Sequence, residues 1–134
     1  MIWLLDTNAC IRYLNGRAPK LKQRIDSASP VDLVVCSVVK AELYCGAAKS
    51  NDPVRSLAKQ EAFLSQFSSL VFDDIAAEAY GQIRSELELK GQPIGPNDLL
   101  IAAIALVNRV TLVTRNTGEF GRVGGCRLKI GRFR

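Results

Sequence analysis

The chain of 134 residues contains no histidine. That excludes Ser-His-Asp and Cys-His catalysis, histidine-ligated zinc, and an imidazole acid or base near neutral pH. Proton transfer is left to carboxylates, lysine, tyrosine or an activated water. No Cys-x-x-Cys pair occurs among Cys10, Cys36, Cys45 and Cys126, so neither a cysteine-rich zinc site nor a thioredoxin-like motif is expected. The four read instead as reduced and buried thiols. A G-x-x-x-x-G-K loop is missing, which excludes a P-loop nucleotide site. The longest apolar run, Leu99 to Val107, falls far short of the roughly 18 residues of a membrane span. The opening Met-Ile-Trp-Leu-Leu-Asp has no basic leader, and Asp6 interrupts its apolar stretch, which argues against a signal peptide. The expectation is a cytoplasmic protein with no membrane partner.

What remains is ordinary globular composition, 48% hydrophobic and 23% charged. The length fits one domain covering 1–134, and no repeat or linker divides it. The net charge of +5 is uneven: residues 1–98 carry 11 basic and 12 acidic side chains, whereas residues 99–134 carry 7 basic side chains against Glu119 alone. Such a segment suits a polyanion such as nucleic acid, or simply forms a solvated face. No aromatic ladder interleaves the basic residues, so a single-strand stacking platform is not indicated.

Short β-rich apolar runs alternate with helical patterns. Strands are expected at Ile2–Leu5, Leu33–Cys36, Leu70–Phe72, Thr111–Thr114 and Arg127–Ile130. Helices are expected over Ala9–Leu14, Lys20–Ala28, Ser37 to about Lys49, a segment after Asp52-Pro53, Asp73 to about Lys90, and Asn97–Val107. Ser37 and Asp52 read as N-caps. In the helix opened by Asp73 and Asp74, the spacing places Ile75, Ala79, Ile83 and Leu87 on one face. Alternation of this kind predicts an α/β fold with a mainly parallel central sheet flanked by helices. Ligands of such sheets bind beyond the carboxyl ends of the strands, which singles out Asp6 and the segment Thr114 to Asn116.

Asp6 follows an apolar strand and, taken alone, reads as a helix cap. Glu42 shares a helix face with Val38, Val39, Cys45 and Gly46, where an unpaired carboxylate is costly. Asp98 opens the most apolar helix of the chain, where the helix dipole favours its charge. Acids that converge at strand ends raise one another's pKa, and a divalent cation removes that conflict. Oxygen ligands favour Mg²⁺ or Mn²⁺, and a metal-activated water would supply the nucleophile that a histidine-free protein lacks. Acids, a hard metal and a basic margin together suggest phosphodiester hydrolysis.

The segments Leu-Leu-Asp6-Thr-Asn, Ala-Glu42-Leu-Tyr-Cys-Gly-Ala, Gly-Pro-Asn-Asp98-Leu-Leu-Ile-Ala-Ala and Leu-Val-Thr114-Arg-Asn116-Thr-Gly-Glu-Phe resemble the four ordered motifs of PIN-domain ribonucleases. They are most similar to those of the VapC toxins of toxin–antitoxin pairs, over nearly the whole chain. The resemblance implies a single PIN-like domain and a Mg²⁺-dependent endoribonuclease, with Mn²⁺ as a substitute, acting on structured RNA such as transfer or ribosomal RNA. It also implies a homodimer, inhibition by a small cognate antitoxin, and contact with operator DNA only through that antitoxin. Carried over, Asp6, Glu42 and Asp98 form the metal site and Asn116 completes the catalytic set. Thr7, Asn8 and Thr114 support those side chains, and Arg115, Arg122, Arg127 and Lys129 face RNA. Asn116 stands where many members have aspartate, with Glu119 close behind. The competing reading is a non-catalytic, basic RNA- or partner-binding module with a degenerate acidic site. A haloacid-dehalogenase-like phosphatase would require Asp at position 8, where this chain has Asn.

Overall fold

A computed structural model describes residues 1–129; for Leu128 and Lys129 it describes the backbone alone. The chain runs β1 (Trp3–Leu5), α1 (Thr7–Leu14), α2 (Pro19–Ser27), β2 (Leu33–Cys36), α3 (Ser37–Ala48), α4 (Pro53–Leu64), β3 (Ser68–Leu70), α5 (Asp74–Leu89), α6 (Pro96–Asn108), β4 (Thr111–Val113), α7 (Thr117–Phe120) and β5 (Leu128–Lys129). Among the described residues the five strands form one parallel sheet in the order β3-β2-β1-β4-β5. This is the expected α/β architecture.

Parallel strands need crossover helices, and those helices cover both faces of the sheet. The three central strands are accordingly apolar: Leu4, Leu5, Leu33, Val35, Cys36, Leu112 and Val113 are fully buried on whichever face they point, whereas the edge strand β3 is Ser-Ser-Leu and largely exposed. The core continues into α6, where Leu99 and the unbroken run Ile101–Ala105 are buried. At about 1.5–3 kcal/mol for each large buried side chain, this helix is the deepest anchor of the fold. Among the described residues no helix is long and apolar enough to cross a membrane.

Strand order fixes where a site can form. The chain winds outward from β1 through β2 to β3, then returns to the other side of β1 with β4 and β5. The reversal opens a crevice at the carboxyl ends of β1 and β4, the usual ligand position in open parallel sheets. The backbone N–H of Asp6 donates to Val113 O across that junction at 3.2 Å.

Several expected boundaries shift. The third strand is Ser68–Leu70 rather than Leu70–Phe72, because pairing of Val34 with Ser68 and Cys36 with Leu70 sets its register. Beyond it Val71 is exposed, and Phe72 packs edge-on against Tyr80. Cys36, not Ser37, occupies the N-cap of α3; Ser37 lies in the first turn, and its hydroxyl donates to Leu70 O at 3.3 Å. In α5 the buried stripe is Ala76, Ile83 and Leu87, one position out of phase at its start, and Ile75 is exposed. Asp52 and Asp73 cap α4 and α5 by accepting from Arg55 N and Ala76 N. The expected end of the fifth strand, Ile130, lies outside the described residues.

α6 ends on Arg109, which has a left-handed backbone at φ 56°. A side chain other than glycine pays of order 1 kcal/mol to sit there.

Candidate active site

Asp6 and Thr114 flank the crevice. Asp6 is buried, caps α1 by accepting from Ala9 N at 2.8 Å, and shares a hydrogen bond with the Thr114 hydroxyl. The Thr114 hydroxyl also accepts from Asn116 N at 2.9 Å, so one buried side chain ties the first motif to the fourth. Burial raises the Asp6 pKa despite these bonds, and the charge of Glu42 adds to the rise.

Glu42 reaches the same place from α3. Its two carboxylate oxygens accept from Thr7 Oγ1 at 2.5 Å and from Asn97 Nδ2 at 3.2 Å. Glu42 is half-buried, and of the side of α3 that the spacing marked as apolar only Val39 is packed into the core. Val38, Ala41 and Cys45 instead line an open groove of about 500 Å³ with Ser37, Asn97 and Leu100, while Val39, Leu43 and Ala47 face inward.

Asp98 sits in the first turn of α6 beside Glu119 of α7. The Asn116 amide nitrogen donates to Asp98 Oδ2 and to Glu119 Oε2, each at 2.9 Å. Glu119 Oε1 also accepts from the N–H of Gly95, the N-cap of α6, at 3.0 Å. Burial, a hydrogen bond with Glu119, and the charges of Glu119, Glu42 and Asp6 push Asp98 up to about 7. Glu119 is pulled down to about 2 by hydrogen bonds from Asp98, Asn116 and Gly95 N–H, with the Arg122 charge adding to them. Of this pair Asp98 is the carboxyl that takes up a proton first and Glu119 the one that stays ionised.

Four carboxylates thus meet at one sheet edge. The expected residues Asp6, Glu42, Asp98 and Asn116 all lie at this edge; sequence reasoning left Glu119 without a role and passed over Asn97 and Gly95. The available signal was spacing: Glu119 lies three residues after Asn116, on the same side of a short helix. Thr7 and Thr114 support site side chains as expected. Asn8 is exposed, and its side chain makes no hydrogen bond among the described residues.

Among the described residues no three carboxylate or thiolate groups stand close enough to ligate one ion together. The expected trio of Asp6, Glu42 and Asp98 is therefore not a closed cage: Thr7 and Asn97 hold Glu42, while Asn116 and Glu119 hold Asp98. The donor set still fits Mg²⁺, which is usually held by one or two carboxylates and keeps several waters. It offers only oxygen, and its own repulsion favours an added cation.

The basic side chains divide. Arg115 is exposed just beyond β4, at the carboxyl edge. Arg122 donates to Pro93 O at 2.9 Å and lies within electrostatic reach of Glu119. Arg127 lies at the opposite, amino edge, where its carbonyl accepts from Leu112 N. The backbone of Lys129 pairs with Val113, and its side chain is outside the described residues.

Comparison with known proteins agrees with this geometry. The PIN domain family matches residues 3–125. A tRNA(fMet)-specific endonuclease VapC of Shigella flexneri is 41% identical over 127 residues, covering 95% of this chain and 96% of the relative. Ribonuclease VapC2 of Rickettsia felis is 38% identical, covering 92% of each chain. A DNA-bound VapBC from Salmonella typhimurium contains a chain that superposes with a TM-score of 0.92 at 36% identity, covering 98% of this chain and 99% of that one. The chain belongs to the PIN-domain family, and within it to the VapC group.

Proposed function

We propose that the chain is a Mg²⁺-dependent endoribonuclease, and that it hydrolyses a phosphodiester of a structured RNA, with transfer RNA the first candidate. The observation that carries this reading is the convergence of Asp6, Glu42, Asp98 and Glu119 at the crevice between β1 and β4. The printed names of the relatives, a tRNA endonuclease and a ribonuclease, support the same chemistry.

One or two of Asp6, Glu42 and Asp98 would hold the cation directly and the rest through its waters, with Glu119 oriented behind Asp98. Bound there, Mg²⁺ would offset charge on the phosphoryl oxygens and lower the pKa of water. The rest is the work of side chains. Thr7 and Asn97 fix the Glu42 carboxylate by donating one bond to each oxygen. Asn116 fixes the distance between Asp98 and Glu119. Arg115, exposed beside the site, is placed to meet a phosphate. A cognate antitoxin would inhibit by laying a basic side chain over the acids, and operator DNA would be reached only through it. A homodimer in the cytoplasm completes the reading.

The test is incubation of total tRNA with the protein in Mg²⁺ or in EDTA, followed by end-group analysis. Water attack leaves a 5′-phosphate and a 3′-hydroxyl. Cleavage that persists in EDTA, or cyclic phosphate ends, overturns the metal mechanism. Salt-dependent RNA binding without cleavage would favour the non-catalytic module.

A further inference from the structure

We infer that a notch at the amino edge of the sheet, opposite the acids, is a second RNA-phosphate site in which Arg109 and Arg127 hold a backbone phosphate remote from the one that is cut. The inference rests on the ribonuclease reading above. The notch is a cavity of about 240 Å³ lined by Ala105, Leu106, Arg109, Val110, Gly125 and Arg127.

Three features mark it as built for an anion. First, neither guanidinium has an ion pair or a side-chain hydrogen bond among the described residues. Arginines near a helix C-terminus ordinarily satisfy its last carbonyls. Here Ala105 O accepts from Val110 N and Leu106 O from Arg109 N, both at 3.2 Å. Two of those carbonyls are thus held by backbone groups, and among the described residues neither guanidinium is engaged by a side chain.

Second, Arg109 occupies a left-handed position that glycine or asparagine would take with less strain. The residue is a poor choice for the backbone and a good one for a phosphate, which arginine binds through two parallel N–H groups. Third, the opposite wall is Gly125 at φ 81°, where an added Cβ would stand 3.2 Å from Leu106 Cδ1. A side chain there would press on the apolar end of the notch. Among the described residues no carboxylate forms an ion pair with either arginine, and the nearest acid in sequence, Glu119, lies at the far edge.

The distance suits RNA. Four residues separate Val110 from Thr114, which is about 13 Å of strand and on the order of four nucleotides of rise. A folded RNA seated on the acids spans both edges.

The experiment uses the full chain carrying Asp98→Asn, so that RNA is bound but not cut. Affinity for total tRNA is measured between about 50 and 200 mM salt for this parent and for Arg109→Gly, Arg127→Gln and, as a distant control, Lys20→Gln. The two arginine variants should each lower the log–log salt slope by about 0.7–0.9, and the control should not. Arg109→Gly should melt no lower than the parent, which separates lost phosphate contact from lost fold. In the active protein both variants should raise KM for tRNA and leave kcat and the cut position unchanged. Parental slopes in both arginine variants would overturn the second site alone. So would variants that weaken only antitoxin binding, since the notch would then be a protein-docking surface. A parent with no salt-dependent tRNA binding would overturn the ribonuclease reading itself, and the second site with it.

Discussion

Asp98→Asn should make the metal-free protein more stable at pH 8 while abolishing cleavage. Asp98 rises from its ordinary value of 3.8 to about 7. At 1.36 kcal/mol for each tenfold step, holding it ionised costs about 4 kcal/mol. Glu119 falls from 4.5 to about 2, which returns about 3 kcal/mol on the same scale. The pair is partly open to solvent, which scales both figures down, and its net cost is about 1 kcal/mol or less. Between pH 4 and 7 the folded state binds more protons at Asp98 than the unfolded state, so wild-type stability falls as pH rises through this window. Asparagine has no charge to suppress and keeps the side-chain shape. The variant should therefore melt about 2–4 °C above wild type at pH 8 and converge with it near pH 4. Adding Mg²⁺ at pH 8 should raise the wild-type Tm more than that of the variant. Thermal melts at pH 4, 6 and 8, with and without Mg²⁺, give the answer. A variant less stable than wild type at pH 8, or a wild-type Tm that climbs between pH 5 and 8 without metal, would refute the electrostatic account.

Asn116→Asp should destabilise the metal-free protein, because the amide that donates to Asp98 and Glu119 becomes a third acceptor between them. The added carboxylate is tolerated only if Mg²⁺ restores the melting temperature. Gly121→Ala should lower cleavage and the Tm together, because its Cβ would fall 2.5 Å from Thr117 O and displace the helix that carries Glu119. A thiol reagent should label exposed Cys45 first. Burial raises the pKa of Cys10 and Cys36 and pushes Cys126 up to about 11, so these three should react only on unfolding. Early labelling of Cys10 in mass spectra would contradict the packing. Leu5→Ala, at a fully buried position in the strand before Asp6, should cost 2–5 kcal/mol in urea unfolding.

The fold was legible wherever burial is two-sided. Leu33–Cys36 and Ile101–Ala105 are apolar without interruption because they meet packing on every side, and both were read correctly. Reading failed where one face meets solvent. Ile75 looks like core by spacing, but it lies on the exposed side of α5. Glu42 looks stranded on an apolar face, yet that face opens into a groove. In the site, acids at strand ends and helix starts could be found from local pattern alone. Glu119 and Asn97 could not, because their roles arise from bonds to residues 24 and 55 positions away in the chain. No local periodicity records such pairings. The division of the arginines between two edges was hidden for the same reason: Arg122 and Arg127 are close in sequence, but the chain crosses the sheet between them.

The buried Thr114 hydroxyl has a consequence for when this molecule can act. It joins Asp6, six residues into the chain, to a motif that begins more than a hundred residues later. Glu119 is contributed later still, by the last helix described. A growing polypeptide therefore carries no complete acid set until residues 6 to 119 have all been synthesised and have closed on one another. Fragments ending before α7 would lack an oriented Asp98. For the ribonuclease proposed above, closure of the domain is itself a safety catch: the acid set comes into being in the same cooperative step as the folded unit, and local unfolding of α7 disarms it.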